Sequence, residues 1–242
     1  MTYSYQDALA HYGISGAHPG GLALTKKIIE PFTIQSNWRV LDAGCGTGQS
    51  AAYIAKSYLC DVTAVDLHPI MIKKARERFS KEGISITTIE ASIEKLPFAS
   101  NSFDLIIVES VTAFTSMPTS LIELNRVLKK GGILLDLEMT VEQHIEEFDR
   151  QTIQRVYGME DLLTEAEWRD AFQKAGFSNT KIVAGGTVLT ELLHSMEKQT
   201  PLEQWNPSSP KLELDAILSE HQQLVMYYAE ALGYRCFQCL KE

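Results

Sequence analysis

Apolar and polar positions alternate in two different rhythms over the first 140 residues. Short apolar runs predict strands at 60–66, 84–91, 101–109 and 133–137. Between these runs, apolar residues recur every three or four positions, as in 22–35 and 69–82, which predicts helices. The run that ends at Glu109 is continuously apolar, as is typical of a central strand in a parallel sheet covered on both faces. The alternation predicts an α/β fold with helices flanking a mostly parallel sheet.

The pattern changes after residue 140. A helix and turn are predicted at 163–177 and a short strand at 182–184. Two helical stretches, 188–199 and 211–232, then flank a proline-rich joint at 201–210, and a final strand follows at 233–239. The second helical stretch has an apolar stripe. Such a stripe fits core packing, a dimer face or a cap over a substrate, and the sequence leaves all three open.

A glycine-rich turn stands directly after the first predicted strand. Its sequence is Asp42-Ala-Gly-Cys-Gly-Thr-Gly48, and an alanine-rich helical pattern follows. Glycine has no Cβ, so it adopts positive φ and lets a ligand approach the backbone. The start of the following helix offers N–H groups that suit a carboxylate or another anion. Strand, glycine turn and helix together predict a nucleotide-binding unit.

The spacing of this turn separates two classes of ligand. Dinucleotide enzymes use G-x-G-x-x-G and seat a diphosphate on the helix start. Here the spacing is G-x-G-x-G, and Asp42 would repel a diphosphate while attracting a cationic amine. A ligand with an amino group, a carboxylate and a ribose fits better than NAD, and S-adenosylmethionine is such a ligand.

Asp66 ends the second strand, 18 residues after Gly48. In Rossmann-like folds an acid at this point accepts hydrogen bonds from the two ribose hydroxyls, because a carboxylate offers only acceptors. An acid here could also cap the helix that begins near Pro69. The position of Asp66 in the pattern favours the ribose.

These motifs resemble those of the class I S-adenosylmethionine-dependent methyltransferases. The first motif of that family has the form of the glycine turn. Leu96-Pro97-Phe98, Asp104 with its preceding turn, and 126–132 match later motifs in order and spacing. The likeness covers 38–138 firmly and 163–177 weakly. Gly131 and Gly132 are predicted to end the preceding helix in the left-handed conformation.

The resemblance implies one methyltransferase domain over 1–242, with a Rossmann-like, seven-stranded, mostly parallel sheet. The expected divisions are an N-terminal arm or lid and helix at 1–37, a cofactor-binding core at 38–185, a helical insertion or cap at 186–232 and a final strand at 233–242. Residues 1–21 carry aromatic and histidine side chains and a Pro-Gly-Gly turn, which fits either a lid over the site or a loosely packed arm.

The resemblance also implies a set of residues that bind S-adenosylmethionine. Family members typically carry an Asp at the place of Ser92, so this chain departs from the pattern at the adenine. Leu67 is expected against the adenine ring. The predicted cofactor-binding residues are Asp42, Gly44, Cys45, Gly46, Gly48, Asp66, Leu67, Met71, Ser92, Ile93 and Glu109.

Methyl transfer from a sulfonium is an in-line displacement in which the cofactor supplies the reactive group. The protein contributes alignment and exclusion of water, and alignment alone is worth ~7–11 kcal/mol. A neutral acceptor needs a base where its proton must leave. The candidates are His18, Glu109 and Glu138, because histidine titrates near neutrality and burial raises carboxyl pKa values.

Composition limits the classes of molecule that the chain is expected to bind. The chain has 242 residues and a formal net charge of −9, which disfavours nucleic acid and leaves a small molecule as the expected acceptor. No run reaches the ~20 apolar residues of a membrane span, and the first residues do not resemble a signal peptide, so a cytoplasmic protein is expected. Its expected state is a monomer or homodimer.

The four cysteines suggest neither a disulfide framework nor a metal site. Cys236 and Cys239 form a C-x-x-C without a second pair, which favours two cysteines in a final strand. No metal is predicted.

Two other functions stay open. One is a non-catalytic module that binds S-adenosylmethionine or dimerises. The other, which the glycine spacing and Asp42 disfavour, is an NAD-dependent oxidoreductase.

Overall fold

A computed structural model describes residues 3–191, 193 and 211–242. The strands are β1 (Arg39–Ala43), β2 (Asp61–Asp66), β3 (Thr87–Glu90), β4 (Phe103–Glu109), β5 (Leu128–Val141), β6 (Phe177–Thr187) and β7 (Leu232–Lys241). They form one sheet in the order β3-β2-β1-β4-β5-β7-β6. The pairs among β1 to β5 are parallel, and β7 runs antiparallel to both β5 and β6. The predicted seven-stranded, mostly parallel, Rossmann-like sheet is confirmed.

The helices pack on both faces of this sheet. They are α1 (Tyr5–Tyr12), α2 (Gly21–Ile29), α3 (Gln49–Tyr58), α4 (Pro69–Glu82), α5 (Met117–Val127), α6 (Glu147–Tyr157), α7 (Glu165–Lys174) and α8 (Leu212–Tyr227). A 3₁₀ turn at Thr112–Phe114 follows β4. Within the described ranges, no helix is long and apolar enough to cross a membrane.

The central strands bury alternate side chains on opposite faces of the sheet, as period-two geometry requires. Leu41 and Ile106 belong to the apolar cluster on one face, whereas Val40, Leu105 and Ile107 belong to the cluster on the other. All five are fully buried. Both faces are therefore covered, which explains why these strands are continuous apolar runs in the sequence.

The junction between α5 and β5 differs from the prediction. Gly131 and Gly132 do not end the helix, because α5 already ends at Val127 and Leu128 is extended. Gly131 has φ +74° inside β5, and the pairing of β4 with β5 shifts between Phe103 and Leu105. The prediction was wrong because the glycines serve an irregularity in a strand, where positive φ is also needed.

The insertion between β6 and β7 is partly described. Residues 188–191 are helical, and α8 accounts for much of the predicted stretch 211–232. Most of the remaining prediction at 188–199 and the joint at 201–210 lie outside the described residues. Cys236 and Cys239 are both buried in β7, and neither forms a disulfide bond.

Trp168 ties α7 to the strands. Its ring stacks on Phe172 at 5.8 Å between centroids and contacts Phe237 at 6.1 Å. Its indole Nε1 donates a 3.0 Å hydrogen bond to the main-chain oxygen of Met139 in β5. Trp168 is 2% exposed, so this bond is made away from water.

We expect Trp168→Phe to lower the free energy of unfolding by about 1–3 kcal/mol, because it removes a buried hydrogen bond and leaves a gap in the packing. Urea denaturation would measure the change. Trp38→Phe is the matched control, since Trp38 is only partly buried and makes no comparable bond within the described residues. An equal loss in both variants would contradict the role assigned to Trp168.

Candidate active site

The three glycines after β1 all have positive φ but meet different surroundings. The φ values are +86° at Gly44, +52° at Gly46 and +77° at Gly48. A Cβ on Gly44 would stand 2.3 Å from Val111, and one on Gly48 would stand 2.5 Å from the ring of Phe79. A Cβ on Gly46 would have no atom of the described residues within 4 Å. Gly44 and Gly48 are required by packing, whereas Gly46 faces open space that a ligand can enter.

The turn is held against β2 by main-chain bonds. The amides of Gly44 and Cys45 donate to the carbonyl oxygen of Val65 at 2.7 and 2.8 Å. Cys45 is buried, and burial raises its thiol pKa, with the charges of Asp42 and Asp66 adding to the rise. Cys45 therefore stays a neutral thiol inside the turn.

Three carboxylates surround this turn because β1, β2 and β4 are adjacent and parallel. Asp42, at 2% exposure, accepts a 3.0 Å bond from the amide of Ala51. Asp66 accepts 2.8 Å bonds from the amides of Gly46 and His68. The Ala51 amide at the helix start is therefore bonded to Asp42 and is not free for a ligand. The sequence had predicted free N–H groups at this helix start.

Electrostatics in the cluster favours a cation. Burial raises the pKa of Asp42 well above its usual range, and the negative charges of Glu109 and Asp66 add to the rise. Burial also raises the pKa of Asp66, while the two amide bonds oppose that rise. Carboxyl groups that repel one another in a buried site gain stability from a nearby positive charge.

Glu109 connects the sheet edge to two helices and to His18. Its Oε1 accepts a 2.6 Å bond from the hydroxyl of Thr25 in α2. Its Oε2 accepts a 2.5 Å bond from the hydroxyl of Ser50 in α3. The Nε2 of His18 lies 3.6 Å from Oε1, and the two side chains are only 6% and 7% exposed.

The structure therefore brings His18 and Glu109 together, as two of the three predicted catalytic residues. The Nδ1 of His18 lies 3.2 Å from the carbonyl oxygen of Pro19, which favours a proton on Nδ1. Thr25 and Ser50 were not predicted. A single hydroxyl within an apolar helix face carries no pattern that marks it as part of a site.

Glu138 occupies a different place. It is 1% exposed, and its Oε1 accepts bonds from the amides of Val111 and Thr112 at 3.0 and 2.8 Å. These amides start the 3₁₀ turn after β4, so Glu138 caps that turn. Val111 in turn packs over Gly44.

Asp136 lies beside Glu138 on the same face of β5 and was not predicted. It is fully buried and accepts a 3.0 Å bond from the hydroxyl of Thr112. Burial raises the pKa of Asp136 well above its usual range and raises the pKa of Glu138 to about 7. Asp136 keeps its proton to a higher pH than Glu138 does, because amide bonds stabilise the charged form of Glu138 only.

The remaining predicted cofactor residues lie along the same edge of the sheet. Leu67 is 67% exposed directly after Asp66, while Met71 and Ile93 are buried at 8% and 3%. The hydroxyl of Ser92 accepts a 3.1 Å bond from the amide of Glu94. Their cofactor contacts stay predictions.

Helix α1 covers this edge. A complete capping box at Ser4 begins the helix, and Tyr5 is 7% exposed. The hydroxyl of Ser15, just after α1, lies 2.6 Å from that of Thr47 in the glycine turn, and the guanidinium of Arg78 donates to both residues. Residues 5–12 are therefore a packed helix, whereas their function as a lid stays a prediction.

Within the described ranges, no group of three His, Cys, Asp or Glu side chains is placed to hold a metal ion. The cluster of Asp42, Asp66 and Glu109 is occupied by amide and hydroxyl donors instead.

The comparison with known proteins agrees with this geometry. Residues 41–136 match the family model described as a methyltransferase domain. The chain is 36% identical to the uncharacterized methyltransferase YodH of Bacillus subtilis, over 98% of this chain and 99% of that protein. The chain belongs to the class I S-adenosylmethionine-dependent methyltransferases.

One further relative resembles a shorter part of the chain, and two solved structures resemble its fold. The ubiquinone/menaquinone biosynthesis C-methyltransferase UbiE of Agrobacterium fabrum is 35% identical over 50% of this methyltransferase and 46% of its own length. A phosphoethanolamine N-methyltransferase of Haemonchus contortus, solved with phosphomonomethylethanolamine and S-adenosylhomocysteine, has a TM-score of 0.76 at 23% identity, covering 99% of this chain and 58% of that one. The [4+2]-cyclase SpnF has a TM-score of 0.72 at 19% identity, covering 99% and 97%.

The raised pKa of Glu138 makes stability depend on pH. The folded protein keeps a proton on this group up to about pH 7, whereas the unfolded chain releases it near the ordinary 4.5. The free energy of unfolding therefore falls as pH rises through that window. We expect Glu138→Gln to remove about 1–3 kcal/mol of the fall between pH 5 and pH 8.

Urea denaturation at several pH values would measure this slope. Glu146→Gln is the control, because the Glu146 side chain is 81% exposed. A slope in Glu138→Gln as steep as in the unaltered protein would refute the assignment.

Proposed function

We propose that this protein transfers the methyl group of S-adenosylmethionine to a small-molecule acceptor by in-line displacement. The observation that carries the proposal is the convergence of Asp42, Asp66 and Glu109 around a turn whose central glycine, Gly46, faces open space. When bound, the cofactor supplies an electrophilic methyl group on a sulfonium. The residues present fit a ligand with positive charge and hydroxyl donors and repel a diphosphate.

The predicted contacts divide between three parts of the cofactor. The turn Gly44–Gly48 is open to the methionine part at Gly46, and the nearby carboxylates favour its ammonium group. Asp66 uses one lone pair of each oxygen on Gly46 and His68, so each oxygen can accept a further bond from a ribose hydroxyl. Exposed Leu67 offers an apolar surface to the adenine. Met71, Ser92 and Ile93 complete the proposed adenine side.

We expect S-adenosylmethionine, and not NAD, to bind in isothermal titration calorimetry. Gly46→Ala should lower that affinity at least tenfold, because a methyl group would enter the proposed ligand space. Gly83→Ala is the matched control, since Gly83 also has positive φ and open surroundings but lies at the end of α4. Each substitution should cost about 1 kcal/mol of stability for its left-handed backbone.

Binding of NAD in place of S-adenosylmethionine would support the oxidoreductase alternative. Equal affinity of the Gly46 and Gly83 variants for S-adenosylmethionine would place the cofactor elsewhere.

His18 and Glu109 are the proposed catalytic pair. His18 would take the proton of the acceptor, and Glu109 would stabilise the imidazolium from 3.6 Å away. Burial of both side chains keeps water from competing for that proton. For Glu138 we infer positioning rather than proton transfer, because its Oε1 is committed to the amides of the 3₁₀ turn.

We expect His18→Ala to reduce turnover at least about 100-fold, within the range typical of a lost general base, while the affinity for S-adenosylmethionine stays within about threefold. Transfer of tritiated methyl to a panel of metabolites would measure turnover. His144→Ala is the control, because that side chain is 85% exposed. Unchanged turnover in His18→Ala would rule out the base role.

The reaction itself is less constrained than the cofactor. SpnF, with a similar fold, is described as a cyclase, so the fold alone does not fix the chemistry. A protein that binds S-adenosylmethionine without transferring tritium to any acceptor would fit the alternative of a non-catalytic or dimerising module. The net charge of −9 favours a small acceptor over nucleic acid. A cytoplasmic location and a monomeric or homodimeric state stay predictions.

A further inference from the structure

Four rings from four separate elements meet beneath α1, and we call them the aromatic pocket: Tyr5 of α1, Phe114 of the 3₁₀ turn, Tyr157 of α6 and His221 of α8. The ring centroid of His221 lies 4.7 Å from that of Tyr5 and 5.2 Å from that of Tyr157. Tyr157 lies 5.3 Å from Tyr5 and 6.3 Å from Phe114. Tyr5 and Tyr157 are 7% and 3% exposed.

One polar atom of this pocket is buried without a partner. The Nδ1 of His221 makes no hydrogen bond, although it is shielded from solvent. Buried polar groups in folded proteins are nearly always paired, so this nitrogen calls for a ligand that pairs it.

The pocket is also electrically neutral. Burial alone lowers the pKa of His221 to about 4, so the imidazole is uncharged near pH 7. Burial raises the pKa of Tyr5 and of Tyr157, and the neighbouring Tyr5 phenol adds to the rise at Tyr157. No lysine or arginine of the described residues affects the pKa of these three groups, so a phosphate or carboxylate would lack a cationic partner, and an unpaired buried charge is costly.

The pocket is connected to the proposed site of methyl transfer. Phe114 belongs to the turn that follows Glu109, and Val111 at the start of that turn packs over Gly44. Tyr5 reaches the pocket from α1, and Ser15 just beyond α1 contacts Thr47 in the glycine turn. The segment from Tyr5 to Ser15 therefore contacts both the glycine turn and the aromatic pocket.

We propose that the aromatic pocket is the acceptor subsite and that it takes an uncharged acceptor with a flat apolar body and a hydroxyl that pairs with His221. This inference rests on the proposed methyl transfer. The rings contact each other in the present structure, so the acceptor enters as α1 moves aside and Tyr5 gives up its place. Flat rings favour a flat partner through stacking and edge-to-face contacts.

Equilibrium dialysis with 2-naphthol, naphthalene and phosphoethanolamine would test the proposal on the full chain saturated with S-adenosylhomocysteine. We expect 2-naphthol to bind more tightly than naphthalene and phosphoethanolamine not to bind. His221→Phe keeps a ring but loses the nitrogen, so it should weaken 2-naphthol about three- to tenfold and leave naphthalene within twofold. His144→Phe, at an exposed position, should change neither.

Tyr157→Phe provides a second, milder variant, which removes only a hydroxyl and should also weaken 2-naphthol more than naphthalene. Circular dichroism and the affinity for S-adenosylhomocysteine would show that each variant is folded. Absence of 2-naphthol binding, preference for phosphoethanolamine, or equal effects of His221→Phe on both ring probes would overturn the acceptor subsite. Failure to bind S-adenosylhomocysteine would instead count against the proposed function.

Discussion

Asp66 and Glu109 end β2 and β4, and Asp42 is the second-last residue of β1. These strands are adjacent and parallel, so the fold itself brings three acidic side chains to one edge of the sheet. Donors hold each of them in place: the amide of Ala51 for Asp42, the amides of Gly46 and His68 for Asp66, and the hydroxyls of Thr25 and Ser50 for Glu109. These donors offset part of the repulsion and fix the carboxylates in place. These donors are uncharged, so a negative potential remains above the glycine turn and favours a cationic ligand there.

Polar contacts at this edge of the sheet also hold the covering segment, which runs from Tyr5 at the start of α1 to His18. Glu109 is shared between α2 and α3 and lies beside His18, while Ser15 and Arg78 join the loop after α1 to Thr47. A ligand that displaces Thr47 must therefore disturb the contacts of the loop as well. Binding at the turn and the position of α1 are linked through these few polar contacts.

Much of the proposed cofactor-binding part of the site could be predicted from local sequence. The glycine turn, the acid at the end of β2 and the parallel strands each leave a pattern within a few residues, since positive φ and strand periodicity are local properties. The length of β5 was underestimated because its last residues pair with β7, which is about a hundred positions away. The irregularity at Gly131 was predicted to be a helix end, because a helix end and a strand irregularity both need the left-handed backbone conformation.

The other half of the site has no local signature. Asp136 and Glu138 differ from surface acids only in their burial, which the packing of β5 decides. The aromatic pocket unites residues that are up to 216 positions apart in the chain, Tyr5 and His221, and nothing in the sequence of either helix marks them as neighbours. Single-sequence patterns do not report such long-range contacts.

The order of strands in the sheet has a consequence for synthesis. β7 is the last of the seven strands to leave the ribosome, yet it lies between β5 and β6. Until it is made, β5 has an open edge and β6 has nowhere to pair, so the nascent chain exposes a strand that could associate with other chains. Completion of the sheet must wait for its seventh strand, and a chaperone that shields β5 during this interval would raise the yield of folded protein.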